Sequence, residues 1–211
     1  MNEKIARVGS LIVTITVTVF AVCMLIDFNF GSYFICMILP IGFIMMTTGF
    51  YNESESSKKV AAMNGVIFAA VYAVLIVIVY FAQITTVRLE SLTEQAAQIL
   101  DYKKGGLTFN YDLLGYGFMA LSTFFTGLTI EAKLKADKVL KWLMLIHGIF
   151  FIVCLIMPIT GILRQTADAD TGKGGVIALE CWCAYFIPVG VLSYIHFGDK
   201  HRGEKKGERE K

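Results

Sequence analysis

Six stretches of about 20 mostly apolar residues recur along this chain of 211 residues, and they decide most of what it can fold into. In hydrocarbon every backbone N–H and C=O must find its partner within the protein, so such runs cross a bilayer as α-helices. They fall at roughly residues 8–27, 33–50, 60–86, 111–130, 142–163 and 174–197. The composition agrees: 56% of residues are hydrophobic and 17% charged, where soluble domains run nearer 45–50% and about 25%. That balance excludes a water-soluble globular enzyme, a disordered chain and a free nucleic-acid-binding domain. The expected fold is all-α, a polytopic bundle of six transmembrane helices in contact with a lipid bilayer. Its overall form is that of many small prokaryotic membrane proteins, an analogy of shape alone.

Lysine and arginine set the direction, because cationic flanks resist translocation. With the N-terminus inside, five of the nineteen fall outside (Arg88, Lys103, Lys104, Arg164 and Lys173) and the remaining fourteen inside. Both termini are therefore expected in the cytoplasm, with the bundle in a prokaryotic cytoplasmic membrane. Lys4 and Arg7 precede the first run as they would in a signal peptide. Its apolar stretch is nearer 20 residues than 7–15, and no small-x-small cleavage site follows, so it reads as a retained helix.

One connection is long. In residues 87–110, Leu89, Leu92, Ala96 and Ile99 recur at spacings of three and four, with Glu90, Glu94, Gln95 and Gln98 around the rest of the wheel. This predicts an outer amphipathic helix over 87–101, ended by Lys103-Lys104-Gly105-Gly106. Such a helix either covers an outward-facing cavity or rests on the membrane surface. Residues 198–211 alternate Lys or Arg with Glu and read as a solvated, charged cytoplasmic tail.

Ionisable residues inside a span are expensive and face protein or water, so they carry the functional signal. Glu180 is the acid flanked by apolar residues on both sides, about 10 Å below the outer edge at 1.5 Å per residue. Pro188 should bend the helix beneath it. Glu180 is either a proton-carrying or cation-binding carboxylate in an outward cavity, or a hydrogen-bonded acid joining two helices. Asp112, Tyr116, Tyr80, Gln83 and Arg164 fall at a similar depth or just above it and permit an outer pocket. A thinner inner polar layer comprises Asn64, His147 and His196. No His-x3-His or Glu-x2-His pair accompanies them, so neither a metal site nor a cofactor is expected.

Ala61, Gly65, Ala69 and Ala73 form a small-residue face, for packing within the bundle or against a membrane-protein partner or second copy. Gly42-Phe43 and Gly117-Phe118 begin similar stretches, which raises a parallel hairpin repeat. The five cysteines lie in apolar runs and form no disulfide framework. Phosphate-loop, serine-hydrolase and zinc-protease motifs are missing. The leading expectation is a small transporter or membrane-embedded ligand-binding protein with a titratable carboxylate. A structural or accessory subunit of a membrane complex is the alternative, and an intramembrane lipid-modifying enzyme a third reading.

Overall fold

A computed structural model describes residues 1–161 and 172–209, with side chains for 1–161 and 175–198. Among them the chain is all-α. Helix α1 spans Asn2–Leu25 and α2 Asn29–Glu53. The turn between them places Asp27 at φ 53, a left-handed conformation that a short polar side chain tolerates, and Asn29 donates to its carboxylate at 3.1 Å. Helix α3 (Lys59–Ala82) runs into a π-helical turn, Gln83–Val87. Then come α4 (Glu94–Leu100), α5 (Leu107–Thr129), α6 (Lys135–His147), α7 (Ile149–Thr160) and α8 (Gly172–Arg209).

Five helical stretches are long and apolar enough to cross a membrane: α1, α2, α3 with its flanking turns, α6 continued by α7, and the Gly175–Gly198 part of α8. This is compatible with an integral membrane protein in contact with lipid. Helix α5 is as long, at 23 residues, but its buried side is its polar side: Thr108, Asp112, Ser122, Thr123, Thr126 and Thr129 all turn inward. Polar groups on a helix in lipid belong there.

The helices close a ring. Helix α1 packs on α2 and α8, α2 on α3, α3 on α5, α5 on α6 and α7, and α6 returns to α8. Aromatic side chains fill the middle. Phe43 meets Tyr72 and Phe186 at 5.4 and 6.2 Å between ring centroids, and Tyr116 meets Tyr72 and Trp182 at 5.7 and 5.2 Å. The axis is thus a packed column rather than an open pore, while Ile78, Ile152 and their like point outward.

Small residues bring the helices this close. A Cβ on Gly9 would lie 2.5 Å from that of Met45 on α2, and one on Gly65 would lie 2.6 Å from Thr126 Oγ1 on α5. Gly65 and Ala69 are buried within the bundle and Ser122 donates to the Gly65 carbonyl at 2.6 Å. At Gly65 the Ala61–Ala73 face is therefore occupied by α5 of the same chain, as packing within the bundle requires. Gly42 faces α1 and Gly117 faces α7, so the two stretches of the supposed repeat have non-equivalent neighbours.

Three boundaries differ from expectation. The helix expected over 87–101 is interrupted at residues 90–93. Helix α3 persists through its π turn to Leu89, and Thr93 then accepts from Ala96 N to cap the seven-residue α4. The fifth run starts at Lys135 and breaks at Gly148, which sits so close to Phe124 that a Cβ would meet its Cβ at 2.8 Å. Finally, the backbone of α8 stays helical to Arg209 through the segment read as a separate tail.

Candidate functional site

Asp112 lies in the second turn of α5, at the end of the bundle opposite the N-terminus, and is only 3% exposed. The phenols of Tyr80 and Tyr102 face its carboxyl. Tyr80 comes from the last turn of α3. Tyr102 is brought over by Gln83, whose amide accepts from Tyr102 N at 3.0 Å and donates to Leu100 O at 2.8 Å. The π turn that begins at Gln83 makes this reach possible, as such one-residue insertions often do beside functional sites. Thr108 fastens the same connection by donating to Ile99 O at 2.8 Å. The rings of Tyr33, Tyr80 and Tyr102 then close on one another at 5.6–6.2 Å.

Despite these neighbours the Asp112 Oδ1 atom is buried without a hydrogen-bond partner among the described residues, as is the hydroxyl of Tyr72. Tyr116, one turn along from Asp112, has its hydroxyl 3.9 Å from Cys36 Sγ. Burial, followed by the Asp112 charge, pushes the Tyr102 phenol well above its usual range, so it remains a neutral donor. Asp112, Tyr80, Tyr116 and Gln83 are therefore gathered at one place. Arg164 lies outside the described residues.

Glu180 stands apart on α8, half-buried. One carboxyl oxygen is buried with no partner among the described residues, and Cys183, one turn on, feels its charge. No described interaction links it to Asp112.

The inner polar residues separate into three roles. Asn64 donates to Val60 O at 3.0 Å on its own helix. His147 ends α6, but α7 continues the span, so it lies in the aromatic column at 1% exposure rather than at an inner edge. Trp182 Nε1 donates to its Nε2 at 3.2 Å, which puts the ring hydrogen on Nδ1, 2.7 Å from Thr123 Oγ1. Thr123 passes its own hydrogen to Ala120 O at 2.9 Å. Every polar atom of this neutral imidazole is satisfied, which makes it a pin between α5, α6 and α8.

His196, on α8, sits between two acids that the sequence left in loops. Its Nδ1 lies 2.7 Å from Asp137 Oδ1 and its Nε2 2.5 Å from Glu53 Oε1. The ring bridges two acidic side chains, and a protonated ring would donate to both carboxylates. Glu53 ends α2, and Asp137 opens α6, where its other oxygen accepts from Leu134 N at 3.0 Å. The cluster ties α2, α6 and α8 together at the end that carries the N-terminus. Beside it a cavity of about 260 Å³ is lined by Asn2, Asn52 and Glu53, among others. Asp137 was hidden because the fifth helix begins seven residues before the apolar run does, and a residue in a first turn reads as loop when the helix is started late.

Among the described residues no group of three His, Cys, Asp or Glu side chains converges to hold a metal. No family model, curated protein or solved structure matches the chain.

Proposed function

We propose that the chain is a six-span protein of the prokaryotic cytoplasmic membrane with both termini inside, and that it is a small transporter or ligand-binding protein working through Asp112. One observation carries the choice of residue: a carboxyl at the level of the helix ends, 3% exposed, with an oxygen that no described residue satisfies. Leaving a buried acceptor unpaired costs about 1–3 kcal/mol, more for a charged group. A chain that only needed to join two helices could use a pair without that penalty. Glu180, half-exposed, is the second candidate for the titrating acid.

The test is proton movement into proteoliposomes under an imposed pH gradient, read with an entrapped pH dye. The expected result is faster collapse than in empty liposomes, abolished by Asp112→Asn and largely kept by Glu180→Gln. Collapse at the wild-type rate in a well-folded Asp112→Asn protein overturns the role of Asp112, and wild-type liposomes as tight as empty ones overturn transport.

An accessory-subunit reading draws on a different observation. Helix α7 buries none of its residues, and Ile149, Ile152 and Ile159 are 60–71% exposed. Such a face suits lipid, and it equally suits a helix of a partner protein. Recovery of a second membrane protein in constant ratio after mild solubilisation, lost on Ile152→Trp, would favour that reading.

A further inference from the structure

We infer that the buried oxygen cluster around Asp112 binds one dehydrated monovalent cation of the Na⁺ class. The inference rests on the reading of Asp112 as the working carboxylate and names what that carboxylate holds.

The donor atoms come first. Two oxygens in this region, Asp112 Oδ1 and the Tyr72 hydroxyl, are buried without hydrogen-bond partners among the described residues. Tyr72 feels the Asp112 charge and lies beside Tyr116. The phenols of Tyr80 and Tyr102 add two more oxygens at the carboxyl. A sulfur near this set, Cys36 Sγ, is already engaged by the Tyr116 hydroxyl at 3.9 Å. Carboxylate and hydroxyl oxygens are hard ligands, which suit alkali and alkaline-earth ions over soft transition metals.

Charge selects between those two classes. Among the described residues no cation forms an ion pair with Asp112, and no second carboxylate or histidine acts on it. One carboxylate neutralises one positive charge. A divalent ion would leave an uncompensated charge in a region of low dielectric, a cost the surrounding phenols cannot offset.

Size then excludes an organic cation. An alkylammonium recognised by aromatic rings sits over their faces. Here Tyr33, Tyr80 and Tyr102 touch one another with centroids 5.6–6.2 Å apart, and Gln83 holds the connection that carries Tyr102 in place. Rings packed on one another at this spacing leave no open face for a methylated ammonium, and the buried oxygens beside them are ligands for a bare ion.

The experiment is thermal unfolding of the purified protein in detergent at mildly alkaline pH, with NaCl replacing choline chloride at constant ionic strength. A ligand that binds only the folded state raises Tm with its concentration. Wild type is expected to gain Tm with rising Na⁺, and Asp112→Asn to show no gain. Tyr72→Phe is expected to need about tenfold more Na⁺ for the same gain, the loss of one oxygen ligand. Tyr72→Phe and the wild-type salt comparison decide the matter if Asp112→Asn fails to fold. Equal wild-type Tm in NaCl and choline chloride overturns the inference. So does a gain given by CaCl₂ but not NaCl, which breaks the charge argument, or one given by tetramethylammonium chloride, which breaks the size argument. No Na⁺ effect together with Asp112-dependent proton movement removes the cation and keeps the functional reading. An Asp112-dependent Na⁺ effect in a protein that moves no protons does the reverse.

Discussion

Trp182 and Thr123 hold His147 as a neutral imidazole, and the arrangement fixes what each substitution should do. In Trp182→Phe the Nε2 lone pair loses its only donor in the aromatic column, so an acceptor is left buried. The expected loss is about 1–3 kcal/mol for that atom alone, read as a lower midpoint in urea or SDS unfolding, and a midpoint unchanged from wild type would mean that His147 is not pinned by this bond. His196 is the opposite case, a ring whose two partners are both acids. His196→Ala removes the ring from between Glu53 and Asp137, two acids whose side chains are 14% and 7% exposed. Removing one member of such a cluster typically costs about 3–5 kcal/mol. Adding Glu53→Gln to His196→Ala should recover part of the loss, because one of the two like charges disappears. A double mutant that is additive would show that the three groups do not act together.

At the scale of elements, the sequence marks where helices lie far better than where they stop or what faces them. The apolar runs of α1, α2 and α3 are unbroken and were legible from hydropathy alone. The fifth span was placed but not its break, because Gly148 gives no sign in sequence that Phe124 will press against it. The outer amphipathic helix was misread for a related reason. Its spacing of three and four is real, but Gln83 prefers to satisfy the backbone at Leu100 and Tyr102, and the chain has to turn for that contact to form. Helix α5 makes a sharper test of packing, since it is held to α3 through Gly65. Gly65→Val pushes a side chain onto Thr126 Oγ1, 2.6 Å from its Cβ, and against the Ser122 carbonyl at 3.4 Å. Overpacking of this kind is expected to destabilise by about 1–3 kcal/mol. Ala70→Val, on the exposed side of α3, should stay within about 0.5 kcal/mol. Equal midpoints for the two variants would mean that the α3–α5 seam is not a close contact.

For the whole molecule the open parity question is α5, because five helical stretches are apolar enough to cross a membrane and this helix is the sixth long one. Its inward-facing threonines and Asp112 lower its apparent hydropathy, and the ring of neighbours buries them. The same masking explains why the candidate site was only half legible. Asp112, Tyr80, Tyr116 and Gln83 could be picked out one by one, but Tyr102 joins them through a contact made across nineteen residues. If α5 crosses, both termini lie on one side, the side that carries most of the Lys and Arg; if it does not, they lie on opposite sides. Lys103 and Lys133 flank α5 and are both exposed, so single cysteines there report on this helix directly. In a background with the exposed Cys181 replaced by serine, a membrane-impermeant maleimide should label Lys103→Cys in intact cells. Lys133→Cys should be labelled only after permeabilisation. Labelling of both from the outside would show that α5 does not cross, which would break the six-span arrangement and take Asp112 out of the membrane. Labelling in the reverse order would keep the crossing but turn the bundle over, so that the Asp112 end faced the cytoplasm and the His196 cluster faced outward.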